Sequence, residues 1–452
     1  RHLPFLAAAF VSAASLAAAA PAQTLVPNLV DVAYGAHPRQ KLDVYFAPSA
    51  SPTPVVVEIH PGGWAGGFKS DFTVYAGVIE RAFAKGISIV SIDFPQAPAD
   101  VYPAQNLSCQ RAVQFVRANA AAWNLDPNRI AVLGTSSGGH LAAWVAMSAD
   151  AANAASADPI EHFSSRARCL VLIEGPTDLT DAYYKYDPTA GHGIGSSVWQ
   201  YFGVASQAAY EQIPLSVKQA ASPRWLAANG AGPTANAAVS VLELYSGDPA
   251  ILASSQLPAP AGGTHDLLFG VAMREALDAI GSGDVPLWIG KPKPPPGAPM
   301  LTGDLIPDWL ALRFSDAAVA HYGHGTPGCA STELMLANGP SKIGSASFEL
   351  FSYDALPFTT GAVVLSDSPD LSGTDLFGVR LLVNTASGFL LILNMPSNAE
   401  GKGTLSLPIP NTPSLAGATV YAQVLWPWST GPCAPSLVQL SASEGLAFTL
   451  QP

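Results

Sequence analysis

The hydrophobic period of this chain changes once, near residue 323, and that change limits the folds open to it. Before it, short apolar, β-branched runs occur at 54–59, 87–93, 129–133, 169–173, 239–245 and 285–289. Stretches with helical spacing alternate with them, at 71–85, 105–124, 138–147, 266–280 and 304–322. Strands that are apolar throughout are buried on both faces, which requires a mostly parallel sheet with helices on each side. The expected fold class is therefore α/β for this half. Residues 30–46 read as two further strands, an antiparallel hairpin at the sheet edge. The segment 183–229 interrupts the alternation. It carries Tyr183, Tyr184, Tyr186, Trp199, Tyr201, Phe202, Tyr210 and Trp225 and reads as a lid insertion.

Past residue 329 the apolar runs are short and recur every 8–14 residues, at 348–353, 362–365, 377–383, 389–393, 404–409, 419–425 and 446–450. Gly, Pro, Asn, Ser and Asp separate them. That rhythm predicts an all-β sandwich. The boundary, 323–328, has the Gly/Pro composition of a linker. The expected organisation is a targeting segment over 1–22, an α/β domain over 23–322, and a β-sandwich over 329–452.

One hexapeptide carries the strongest chemical signal: Gly134-Thr135-Ser136-Ser137-Gly138-Gly139. It satisfies G-x-S-x-G, follows the predicted strand 129–133 directly and opens the predicted helix 138–147. A turn that sharp accepts only small residues around its central serine and leaves the Ser136 hydroxyl exposed at the sheet edge as a candidate nucleophile. The helix N-terminus behind it favours developing negative charge. The second signal is His60-Pro61-Gly62-Gly63-Trp64, directly after the strand 54–59. Small residues there let backbone N–H groups approach a substrate oxygen, so Gly62, Gly63 and Ser137 are the candidate oxyanion donors. His60 precedes the serine in the chain and reads as a structural loop residue.

The segments HPGGW and NLDPNRIAVLGTSSGGHLAAW, with QRAVQFVR before the latter, resemble the α/β-hydrolase serine esterases of the hormone-sensitive-lipase and feruloyl-esterase-like type. The resemblance covers roughly residues 30–322. It implies hydrolysis of carboxylic esters through an acyl-enzyme, with no cofactor and no metal. Its usual oxyanion loop is HGGGW. Pro61 replaces the first glycine here and removes one N–H. The resemblance also implies the order Ser, Asp, His, with the histidine between the last strand and the last helix. That loop, 290–303, contains none. Beyond the lid there remain His265, before the helix 266–280, His321, expected at the end of the final helix, and His324 in the linker.

Two readings stay open. In one, His265 is the general base, oriented by Asp248 or Asp266; Asp248 has the better reach and Asp266 the better family position. In the other the base is lost, and an impaired hydrolase serves as a binding or surface-associated protein. Among the remaining groups, His140 is expected to pack inside the helix–sheet layer, and His162 and His192 to lie in solvated loops. Asp178 or Asp181 is a minor alternative acid.

Residues 1–22 have a short polar start, an apolar Ala-rich run and a small-residue site at Ala20-Pro21-Ala22, the pattern of a secretory signal. The protein is therefore expected outside the cytoplasm, without a membrane span. Four cysteines in a secreted chain permit two disulfides. The pairing expected is Cys109–Cys169 and Cys329–Cys433. A formal charge of −12, with 21 basic against 33 acidic residues and no basic run, argues against nucleic-acid binding. No phosphate-binding, dinucleotide or zinc-protease motif is visible. The stretch LPIPNTPSLAGATVYAQ is similar to C-terminal β-sandwich modules of secreted bacterial proteins, which implies polysaccharide or cell-surface contact. Trp426 and Trp428 would then stack on sugars, or else pack in the core, the commoner fate of Trp.

Overall fold

The computed structural model describes residues 25–71, 77–180, 196–229, 238–249, 263–282, 285–290, 304–328, 331–376, 378–428 and 440–452. The signal segment, His192, Asp181, Cys329, Cys433 and the loop 291–303 lie outside the described residues.

Among them, eight strands form the first sheet: β1 (Leu29–Ala33), β2 (Lys41–Tyr45), β3 (Thr53–Ile59), β4 (Ser88–Ile92), β5 (Leu125–Thr135), β6 (Cys169–Ile173), β7 (Ser240–Ser246) and β8 (Leu287–Gly290), in spatial order β1-β2-β4-β3-β5-β6-β7-β8. From β3 to β8 neighbouring strands run parallel, and the β1–β2 hairpin joins β4 antiparallel. The expected α/β sheet with its edge hairpin is what forms.

Strand alternation sends successive residues to opposite faces. Val55, Val57 and Ile59 join one core with α2 (Ala104–Asn119), α3 (Ser137–Met147) and α8 (Leu268–Ala279). Four short helices cover that core, α4 (Ser196–Tyr201), α5 (Gln207–Glu211), α6 (Leu215–Ala220) and α7 (Pro223–Asn229). They occupy the region read as a lid. Val56, Ala131, Val171 and Leu242 face the other way, toward α1 (Val78–Ala84) and α9 (Leu305–Phe314).

This alternation corrects one expected disulfide. Cys109 lies in the α2-side core and Cys169 in the opposite one, so the sheet stands between them. Both are buried thiols. Two further differences concern the boundary. The final helix stops at Phe314, and Val319–Tyr322 is a strand, β9, which places His321 in a sheet instead of at a helix end. The stretch 323–328 is no loose linker either: Thr326 pairs with Ala442 in a β-bridge.

Among the described residues, the named strands of the C-terminal module pair antiparallel. Its sheets are β15 (Leu390–Pro396), β12 (Thr360–Ser366), β17 (Thr419–Pro427), β19 (Gly445–Thr449) and β9, with β18 (Leu440–Ala442) also on β17; then β10 (Leu334–Ala337), β11 (Glu349–Tyr353) and β16 (Gly403–Ser406); and the pair β13 (Pro369–Leu376) and β14 (Val379–Val383). Trp426 and Trp428 are buried, donating to Ser352 Oγ at 2.9 Å and Ser441 Oγ at 2.7 Å, so they offer no stacking face.

The module is joined to the α/β half by a shared core. Leu334, Leu336, Trp426 and Phe448 belong to the same cluster as Val171, Leu242 and Trp309. Polar contacts cross the same boundary: Ser331 bridges Gly290 at the end of β8, and Lys402 Nζ lies 2.6 Å from Asp308 on α9. Among the described residues no helix is long and apolar enough to cross a membrane.

Candidate active site

Ser136 stands at the junction of β5 and α3 with φ 55° and ψ −122°, a left-handed conformation that a β-carbon disfavours. The turn is held from several sides. Ser136 N–H donates to Ile173 O at 2.8 Å, and Ser136 O accepts from His140 N–H at 3.0 Å. A β-carbon on Gly134 would come within 2.2 Å of Gly138 O, and one on Gly138 within 2.0 Å of Ile59 O. Both motif glycines are therefore demanded by backbone approach.

The Ser136 hydroxyl meets His265 Nε2 at 2.8 Å, across 129 residues of sequence. His265 is exposed and ends a single 3-10 turn, Gly263–His265, just before α8. Asp266 is occupied at that helix start, its Oδ1 accepting from Leu268 N–H at 2.9 Å. Asp248 is exposed two residues past β7. Its neighbour Gly247 abuts Leu267, where an added β-carbon would lie 2.0 Å from Leu267 Cδ2. Asp248 thus lies beside the turn that carries His265.

Pro61–Trp64 follows β3 beside the serine turn, with Ile59 paired to Gly134. Gly62, Gly63 and Trp64 all have positive φ, and Gly62 O accepts from Ala65 N–H at 3.1 Å. Gly63 lies beneath α4, where an added β-carbon would be 3.0 Å from Ser197 Cβ. Ser137 opens α3, its backbone amide at the free end of the helix.

Four other described histidines are used elsewhere. His60 is buried, donates from Nδ1 to Pro61 O at 2.7 Å and stacks on Phe94 with centroids 4.4 Å apart. Burial holds it below the ordinary imidazole range. His140 accepts from Trp64 Nε1–H at 3.1 Å and donates to Ala221 O at 2.8 Å. Burial pushes its pKa down to about 4, so it stays neutral and ties the glycine loop to α3 and the covering helices. His162 is exposed, at 2.8 Å from Ser156 O. His321 Nε2 donates to Met335 O at 2.8 Å. Asp178 pairs with Arg224 at 3.0 Å, which removes it as the alternative acid.

Sequence reasoning missed the polar groups that lock these pieces together. Thr177 Oγ donates to Phe269 O at 2.7 Å, tying the loop after β6 to α8. Trp64, read only as the end of the glycine loop, is a hydrogen-bond donor to the helix behind the serine. Nothing local marks either role, since both depend on residues more than 70 positions away.

Residues 42–224 match the BD-FAE family model. That segment runs from β2 into α7 and includes most of the parallel sheet. Esterase LipC of Mycobacterium tuberculosis is 36% identical over 121 residues, which are 26% of this chain and 30% of that protein. Carboxylesterase NlhH of the same organism is 42% identical over 96 residues, 21% of this chain and 28% of the relative. The chain thus spans less than a third of either relative's length. An acetyl ester-xyloside bifunctional hydrolase from Caldicellulosiruptor lactoaceticus superposes at a TM-score of 0.41 and 20% identity, over 56% of this chain and 78% of that one. The serine turn and the glycine loop both fall inside the matched segment. His265 falls outside it.

Proposed function

We propose that the protein hydrolyses carboxylic esters by a serine mechanism, and that it acts after export from the cytoplasm. The observation that carries the chemistry is the 2.8 Å contact between Ser136 Oγ and His265 Nε2. His265 takes the hydroxyl proton as Ser136 attacks the ester carbonyl, and a tetrahedral intermediate forms. The backbone amides of Gly62, Gly63 and Ser137 receive the oxyanion. His265 then gives its proton to the departing alcohol, leaving an acyl-serine that water hydrolyses by the same steps in reverse order. Asp248, beside the His265 turn, is the carboxylate proposed to orient the ring. The relatives named as esterases support the reaction class, and the polar–apolar–small pattern of residues 1–22 supports export.

The alternative of an impaired hydrolase loses its motive once an imidazole lies within hydrogen-bond reach of the serine. Turnover of p-nitrophenyl butyrate by wild type, Ser136→Ala and His265→Ala tests the reading. Each variant is expected to lose about 10³-fold or more in kcat. Wild-type turnover equal to that of Ser136→Ala would refute it.

A further inference from the structure

Helix α8 begins three residues after the candidate base and is gripped from both halves of the molecule. On the hydrolase side, Thr177 Oγ donates to Phe269 O at 2.7 Å and Arg224 Nε to Ala272 O at 3.3 Å. On the other side, Arg274 Nη1 lies 2.7 Å from Glu444 Oε1, and its Nη2 donates to Gly323 O at 3.1 Å. Gly323 follows β9 and Glu444 lies between β18 and β19, so both partners belong to the C-terminal module. Arg274 and Glu444 are 8% and 4% exposed, so water screens the pair little.

We propose that Arg274 is a positioning residue for catalysis, through which the C-terminal β-module holds α8 and so keeps His265 against Ser136. The proposal rests on the serine-hydrolase reading above. A helix is stiff, and the six residues from Leu268 to Arg274, at 1.5 Å rise, put Arg274 about 9 Å along the axis from the helix start that the His265 turn precedes. A tilt at the Arg274 end is therefore felt at the imidazole. Proton transfer needs that ring within hydrogen-bond reach, and a displacement of about 1 Å at a reacting group costs on the order of 10²-fold. Beneath the helix, the buried Glu243 on β7 is held far above the ordinary carboxylate range by desolvation. Desolvation raises the Glu444 carboxyl as well, and its 2.7 Å contact with Arg274 opposes that shift.

The test uses the full-length protein, with kcat and KM for p-nitrophenyl butyrate and the rate of fluorophosphonate labelling of Ser136, all well below the melting temperature. Arg274→Ala is expected to lower kcat about 30–100-fold with KM within about threefold, and to slow labelling in proportion. Arg274→Lys, which keeps the charge toward Glu444, is expected to recover to within about fivefold of wild type. Glu444→Gln is expected to fall between them. A purely structural role predicts a lower melting temperature with kcat and labelling unchanged, and that outcome overturns the proposal. Should Arg274→Ala fail to fold, Glu444→Gln with wild-type kcat overturns it equally. Wild type that neither turns over ester nor takes label would instead mark failure of the serine-hydrolase reading, and the inference would go with it.

Discussion

At the scale of single residues, the site is made by backbone positions where a side chain has no room. Ser136 adopts a conformation that costs a β-carbon of order 1–3 kcal/mol, and the hydrogen bond to Ile173 O holds it there. Gly138 permits α3 to touch the end of β3. Gly138→Ala would drive a methyl to 2.0 Å from Ile59 O, a clash with backbone that side-chain rotation cannot relieve. We expect this variant to lose more than about 3 kcal/mol of stability or to be recovered insoluble, as read by thermal melting and soluble yield. Gly86, whose added β-carbon meets nothing within 4 Å but whose φ is 78°, should lose about 1 kcal/mol on the same substitution. These requirements were legible beforehand in part. The motif glycines announce a tight turn, but the atoms they approach belong to another strand and are invisible to a local pattern.

At the scale of elements, the proposed general base stands one strand earlier than the resemblance implies. The resemblance leads one to look after β8, whereas His265 leads into α8, between β7 and β8. That position is tolerated because neighbouring parallel strands end side by side, so loops after β7 reach the same sheet edge as loops after β8. The β8 strand has another task, as the seam with the C-terminal module. Trp288 Nε1 donates to the buried Asp354 of that module. Desolvation pushes the Asp354 carboxyl up to about 7, outweighing the hydrogen bond from Trp288 that favours ionisation. Folded Asp354 therefore keeps its proton where the unfolded chain releases it. Its contribution to stability is full below about pH 4 and is lost as pH rises through about 7. Asp354→Asn should flatten the stability profile across that window by roughly 1–3 kcal/mol relative to wild type, in denaturant melts at pH 5 and pH 8.

At the scale of the whole molecule, the two halves share one core on the α9 side of the sheet. Trp309 and Leu310 of α9 pack in the same cluster as Leu334, Trp426 and Phe448. A chain cut after Phe314 would expose that face to water, and it is expected to aggregate on expression. The intact protein should melt in a single transition whether followed by calorimetry or by tryptophan fluorescence, because neither half buries its surface alone. Two separated transitions would contradict this account. The pattern of short β runs was enough to expect an all-β module, and strands such as 349–353 and 419–427 lie close to where those runs fall. The strands β9, β10, β13 and β18 were missed, because they are short or polar and are held in place by partners distant in the chain.

Local order along the chain was sufficient for the α/β sheet, the serine turn and the glycine loop, since each is written in contiguous residues whose period or size allows one backbone path. It left open whether His265 reaches Ser136, paired Cys109 with Cys169 across a sheet that separates them, and was silent on what the last 130 or so residues press against. Those are distances between segments far apart in sequence. They were resolved by how strands order themselves in the sheet and by which face each side chain takes, and neither is encoded in any one stretch.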